Sequence, residues 1–131
     1  RLRTFVEGKG LSALPAANAG DIWFDMEGIQ DSVAGTKLEY LFGACYRGSP
    51  EDKPRFKGWW AHNDAEEKTA FEGWVDWVEA RRRSHPGLHV YHYAAYEKTA
   101  MRRLAQQQAY EDRQGDKNHQ QHGPAGRDAA T

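Results

Sequence analysis

Cysteine is almost absent. The single Cys45 excludes an intramolecular disulfide and suits a reducing compartment such as the cytoplasm. Set in an apolar run, it reads as a small buried hydrophobe rather than a reactive thiol. Long apolar runs are missing as well. Nowhere do about eighteen apolar residues follow one another, and the opening RLRTFVEGKGLSALPAA has no apolar core of signal-peptide length. The expectation is a soluble, cytoplasmic protein with no membrane partner. An excess of charge of one sign is lacking too: 18 basic residues against 19 acidic ones leave a net charge of -1. No global field draws the chain to nucleic acid or a lipid surface, so any polyanion contact must be local. There is no phosphate-cradling glycine loop, no Ser/His/Asp arrangement, no Cys/His zinc spacing and no internal repeat. His89 and His92 lie three apart, as do His119 and His122. A zinc site is still not expected, because the first pair would point to opposite faces of a strand and the second sits in a polar tail.

What is present suffices for one domain. At 131 residues, 39% hydrophobic and 12% aromatic, the chain can close one modest core and not two. Beginning at Arg1 rather than methionine, it reads as a piece of something longer. Residues 1–20 show no sustained period and are punctuated by Gly8, Gly10, Pro15 and Gly20, which suggests an irregular lead-in. From Asp21 the pattern alternates strictly: Ile22, Phe24 and Met26 on one side, Trp23, Asp25 and Glu27 on the other. LEYLFGACY is apolar nearly throughout and predicts a central strand covered on both faces. After the loop RGSPEDKP, RFKGWWA predicts a third strand and completes an antiparallel meander. Asn63 and Asp64, with Glu66 and Glu67 three positions on, open a helix expected over 64–83. Its apolar stripe is Ala70, Phe71, Trp74, Val75 and Val78. Arg81, Arg82 and Arg83 at its end suit the helix dipole, and a solvated terminus is the simpler reading than a phosphate patch. LHVYHY predicts a fourth strand, and a second helix starts near Ala95. The folded unit is thus expected over 21–110. Residues 111–131 carry almost no large apolar side chain and are expected to form a polar, flexible tail.

The chemistry-bearing signal is D-M-E on the second strand face. A period of two places Asp25 and Glu27 on one side, about 7 Å apart at their backbones, where two carboxylates can serve Mg²⁺ or Mn²⁺. A site with two such ions could bind both oxygens of an in-line phosphoryl displacement. Alone, D-x-E is common on exposed strands. Here the opposite face is wholly apolar, Trp23 shares the acidic side, and Gly28 follows at once, marking the strand end or a close approach to the backbone such as a nucleic acid would make. Glu97 lies on the helix face of Ala100, Met101 and Leu104, which should pack on the sheet. It either answers the helix dipole or supplies a third metal-site acid. Lys98, Arg102 and Arg103 could contact phosphates, although a solvated face is the simpler explanation. His92 or Tyr93 could transfer a proton or orient a substrate beside the acids.

The run GDIWFDMEG, then LEYLFG, WWAHNDAEEKTAF and HPGLHVYHYAAYEKTAMRRLA, resembles the ribonuclease H-like domain of RecB-family nucleases over Gly20 to Ala105. Such domains look like relatives of the DnaQ-type (DEDD) 3′–5′ exonucleases, in which four acids hold two metal ions. The resemblance places Asp25 and Glu27 in the first acidic motif and Tyr96-Glu97 in the second block, where related enzymes usually carry aspartate. It further implies a strand bearing Asp-Leu and a later helix with a final aspartate. Neither is present, and Asp112, Asp116 and Asp128 have no apolar strand or helix around them to take those roles. Fewer fixed carboxylates hold ions less firmly, so a folded but inactive piece is also compatible.

The expectation is therefore an α/β, ribonuclease H-like fold: a mixed sheet with an N-terminal antiparallel three-strand meander and helices packed on it. The expected activity is Mg²⁺- or Mn²⁺-dependent phosphodiester hydrolysis on DNA or RNA, exonuclease-like. Asp25, Glu27 and Glu97 would bind metal, and Trp23, Gly28, Tyr93, Tyr96, Lys98 and Arg102 would bind nucleic acid. Longer relatives resemble fusions with helicase or nuclease modules, which would be partners. The alternatives are a noncatalytic nucleic-acid-binding module, stacking bases on Trp23, Tyr91 and Tyr93, and a docking domain of a larger repair protein.

Overall fold

The structure, a computed structural model, describes residues 6–31 and 33–121, with side chains through 116. Four strands and two long helices follow the lead-in: β1 (Ile22–Gln30), β2 (Lys37–Tyr46), β3 (Arg55–Trp60), α1 (Asp64–Ser84), β4 (Val90–Tyr91) and α2 (Ala95–Gln121). The sheet order is β3-β2-β1-β4, antiparallel through the first three strands and parallel between β1 and β4. The chain is thus an α/β domain with a mixed sheet and the expected meander.

Alternation on β1 is as the sequence dictates. Ile22, Phe24 and Met26 are buried while Trp23, Asp25 and Glu27 are exposed. Both helices cover the same sheet face, because Ala70, Phe71 and Trp74 of α1 and Ala100 and Leu104 of α2 join Phe24, Met26, Phe42 and Ala44 in one core. This corrects the expectation that β2 is covered on both faces. Cys45 pairs with Trp23 across the uncovered face and is exposed, not buried. Phe56 lies over the glycines of that face, within 3.1 Å of where a Cβ on Gly43 would sit and 3.2 Å of one on Gly58.

Helix α1 opens as its cap residues require: the Asn63 side chain accepts from the Glu66 amide at 2.9 Å, and Glu66 reaches back to the His62 amide at 2.8 Å. At its other end Arg81 is not a free terminal cation. Its Nε donates to Gly20 O at 2.8 Å, its Nη2 donates to Arg47 O at 2.7 Å, and the guanidinium lies over the Tyr46 ring. This ties the lead-in to the sheet.

Two boundaries differ from expectation. β4 is two residues long instead of six, because it is an edge strand with β1 as its sole neighbour among the described residues and the chain bends at Tyr93 and Ala94 into α2. α2 runs to Gln121, past the Tyr110 boundary set by apolar content. Ala, Gln, Glu and Arg extend a helix already nucleated without needing a buried face, aided by bonds such as Gln108 to Asp112 at 2.9 Å. Residues 122–131 of the expected tail, and 1–5 of the lead-in, lie outside the described residues. Among the described residues no helix is long and apolar enough to cross a membrane.

A bulge in β2 has the largest consequence for side-chain placement. Glu27 pairs with Leu41 but Gly28 pairs with Glu39, leaving Tyr40 as the extra residue. The slip turns Glu39 toward the helices, where it is fully buried. It accepts from Tyr96 Oη at 2.7 Å and from Arg103 Nη2 at 3.3 Å, and lies 3.4 Å from Lys37 Nζ. Glu67 of α1 closes the cluster by accepting from the Glu39 amide at 2.5 Å. Burial pushes the Glu67 carboxyl above its ordinary value, against the pull of that amide and of Arg103. The Tyr96 hydroxyl, and after it the Glu39 carboxylate, hold the Lys37 ammonium above its ordinary value.

Candidate functional site

Because β4 stops at Tyr91, the edge of β1 beyond Trp23 has no strand beside it on that side among the described residues. A cleft of about 550 Å³ opens there, lined by Trp23, Phe24, Asp25, Tyr91, His92, Tyr93 and Glu97. β1 delivers Asp25 to it from the uncovered sheet face. The first turn of α2 delivers Glu97, which is only 5% exposed. Its Oε2 is buried and has no hydrogen-bond partner. His92 Nδ1 lies 3.4 Å from it. That nitrogen is bonded to the Ala94 carbonyl, so it carries the proton and leaves Nε2 as the exchangeable position. Asp25 Oδ1 accepts from the Met26 amide at 3.0 Å.

Of the residues singled out in the sequence, the structure brings together Asp25, Glu97, Trp23, Tyr91, His92 and Tyr93. Glu27 points from the same sheet face as Asp25 but does not line the cleft. Gly28 faces the helices. A Cβ there would overlap Glu39 Oε2 and lie 2.7 Å from Tyr96 Oη, so the close approach that requires glycine is made by the buried acid cluster. Tyr96 is committed to Glu39. Lys98 and Arg102 are exposed on α2 and do not line the cleft. Among the described residues, no three His, Cys, Asp or Glu side chains converge closely enough to hold a metal ion. Asp25 and Glu97 both line the cleft, and each offers carboxylate oxygens of the kind that a hard cation takes.

The aromatic wall was only partly legible in the sequence. Trp23 is 52% exposed and stacks on Tyr91 at 6.0 Å between centroids and 23° between planes. Tyr91 in turn meets the His89 ring at 5.7 Å. Behind them Asp21, buried, accepts from the His89 amide at 2.8 Å and the His89 ring at 2.9 Å through Oδ1, and from the Asn18 amide at 2.9 Å through Oδ2. Burial alone would raise its pKa; the two amides and His89 outweigh burial and hold it below the ordinary carboxylate value. A depressed carboxyl stabilises the fold above the unfolded pKa and loses that contribution as pH falls through the folded one. Asp21→Asn is therefore expected to cost about 2 kcal/mol at neutral pH and less as the pH falls below the ordinary aspartate range. Urea unfolding at a series of pH values measures this.

These features define an α/β domain whose mixed sheet opens at one edge into an acidic, aromatic cleft. Comparison of the chain with protein-family models, with curated proteins and with solved structures returns no match.

Proposed function

We propose that this protein is a metal-dependent nuclease domain of ribonuclease H-like fold that hydrolyses phosphodiester bonds of DNA or RNA in an exonuclease-like manner. The observation that carries the reading is Glu97 Oε2, a buried carboxylate oxygen with no hydrogen-bond partner and only the His92 ring 3.4 Å away, in a cleft that also holds Asp25. Buried polar atoms are normally satisfied, and an orphan in a cleft wall points to an ion or water as its missing partner. The strand arrangement supports the fold: an antiparallel meander, a parallel strand beside β1, and the first acid on the inner strand β1.

In this reading Asp25 and Glu97 hold a Mg²⁺ or Mn²⁺ ion, with Glu27 two residues along the same face. When bound, such an ion supplies Lewis-acid stabilisation of phosphoryl oxygens and a water of lowered pKa. His92 is oriented by the Ala94 carbonyl to exchange a proton through Nε2. Trp23 and Tyr93 offer exposed ring faces to bases next to the reacting phosphate.

The test incubates labelled single-stranded DNA and RNA with the protein and Mn²⁺, comparing wild type with Asp25→Ala. Wild-type cleavage that needs Mn²⁺ and falls on the order of a hundredfold or more in the variant is the expected result, equivalent to about 3 kcal/mol of lost transition-state stabilisation. Equal cleavage by both proteins overturns it. A second reading, a noncatalytic nucleic-acid-binding module, is favoured by the exposed Trp23 ring stacked on Tyr91, a platform for a base that needs no metal. Equal binding of nucleic acid by both proteins, with cleavage by neither, would select it.

A further inference from the structure

The sheet has a second open edge, at the opposite end from the acidic cleft. β3 ends the strand order, and among the described residues no strand lies on its outer side. Such an edge is a template for another strand unless proline, a bulge or charge blunts it. The Ala61 amide donates to Tyr40 O at 2.9 Å, which fixes the direction of the backbone groups along β3. Odd-numbered positions bond to β2, while Phe56, Gly58 and Trp60 turn their N–H and C=O groups to the open edge. The ladder to β2 runs without a bulge. On either side of these residues the edge is closed, because Pro54 has no amide and the His62 amide is taken by Glu66. The free block is therefore centred on Gly58.

We infer that two copies of this chain associate through β3, antiparallel about a two-fold axis at Gly58, joining two four-stranded sheets into one of eight. The inference is independent of the nuclease reading, since the cleft stays at the far edge of each copy. Backbone register carries it first. With Gly58 opposite Gly58 of the other copy, Phe56 of each faces Trp60 of the other, and every outward N–H and C=O of the block finds a partner. Sliding the strands by one pair loses this match in either direction. One shift sets Lys57 against Lys57 and leaves Trp60 opposite Pro54; the other sets Phe56 against His62, whose amide is already engaged. Side chains point to the same register. Phe56 is 63% exposed and Trp60 59%, both on the uncovered sheet face. Both lean over Gly58, where a Cβ would lie 3.2 Å from the Phe56 ring and 3.3 Å from Trp60 Nε1. With no side chain at the centre, the rings of both copies can close over the paired glycines. On the other face Lys57 lies 5.3 Å from the centre of its own Trp59 ring and stands opposite Trp59 of the other copy. The edge lysine that would repel a second strand meets an aromatic ring instead.

The experiment uses the full chain. Sedimentation equilibrium over about 5–500 μM should show a monomer–dimer equilibrium. Amide exchange followed by NMR between those limits should slow at least about tenfold at Phe56, Gly58 and Trp60, while the Lys57 and Trp59 amides, bonded to β2 in both states, keep one rate. Phe56→Glu sets a carboxylate against Trp60 of the other copy, and Trp60→Glu does the same against Phe56. Each should raise the dimer dissociation constant about tenfold while the urea midpoint of the dilute protein stays at its wild-type value. If either variant unfolds, the wild-type exchange pattern still decides. A chain that is monomeric throughout the range overturns the inference, as does a dimer whose Phe56, Gly58 and Trp60 amides exchange as fast as in the monomer. A dimer equally tight in both folded variants overturns it as well.

Discussion

Glu97→Gln is expected to abolish Mn²⁺ binding while making the metal-free protein more stable. The carboxylate is buried with one oxygen unsatisfied, which costs folding about 1–3 kcal/mol. Its position in the first turn of α2 returns about 0.3–1 kcal/mol through the helix dipole. The amide removes the charge without changing the side-chain volume but leaves a polar group in the same unpartnered place, so the net gain should be at most about 1 kcal/mol. On the functional side the loss is much larger, because a neutral amide is a poor ligand for a hard cation. Cleavage should fall on the order of a hundredfold or more. Mn²⁺ titration followed by water-proton relaxation reads the first effect, and urea unfolding in EDTA reads the second. Opposite signs for stability and metal affinity mark a site that sacrifices stability for function. If Glu97→Gln destabilises the metal-free fold and binds Mn²⁺ like wild type, Glu97 is a structural residue and the candidate site fails.

Arg103→Leu should be among the most damaging of the substitutions away from the cleft. Its guanidinium serves Glu39 at 3.3 Å and Glu67 at 4.0 Å, and both acids are buried. Removing it leaves two neighbouring carboxylates with Lys37 alone, and that lysine reaches only Glu39. Breaking a buried pair costs about 3–5 kcal/mol. Arg103 is 39% exposed, so solvent screening lowers the expectation to about 2 kcal/mol. The pH dependence has a defined sign. Glu67 already has a raised pKa in the folded state, so the fold binds its proton more tightly than the unfolded chain does. That contribution is present at low pH and is lost as pH rises from the ordinary glutamate value through the raised one. Without Arg103 the window widens upward, and the defect should grow with pH across it. Glu67→Gln in the Arg103→Leu background should recover most of the loss, because the amide oxygen can still accept from the Glu39 amide. A double-mutant cycle in urea measures the coupling. No coupling would show that Arg103 acts on Glu39 alone.

Much of the fold was legible because local patterns and tertiary packing agree in it. Asn63 and Glu66 mark where α1 begins whatever lies around them, and strict alternation from Ile22 to Glu27 selects the buried side of β1. The acidic cleft was legible to the extent that it depends on these patterns: Asp25 from the period of two, and Glu97 from its anomalous place on an apolar helix face. Cys45 was misjudged, because an apolar strand reads as covered on both sides when nothing local says that both helices choose one face.

The sequence by itself determined the meander, the two helices and the direction in which Asp25 points, since these follow from side-chain periodicity and capping within a few residues. Only the tertiary structure decided that β4 stops after Tyr91 and opens an edge for the cleft, and that Glu27 stands apart from it. The tertiary structure also decided that Gly28 and Tyr96 belong to a buried cluster around Glu39. One extra residue at Tyr40 inverts the alternation of β2, and an inversion of that kind depends on the strand alongside, so no reading of β2 alone could have placed Glu39 inside.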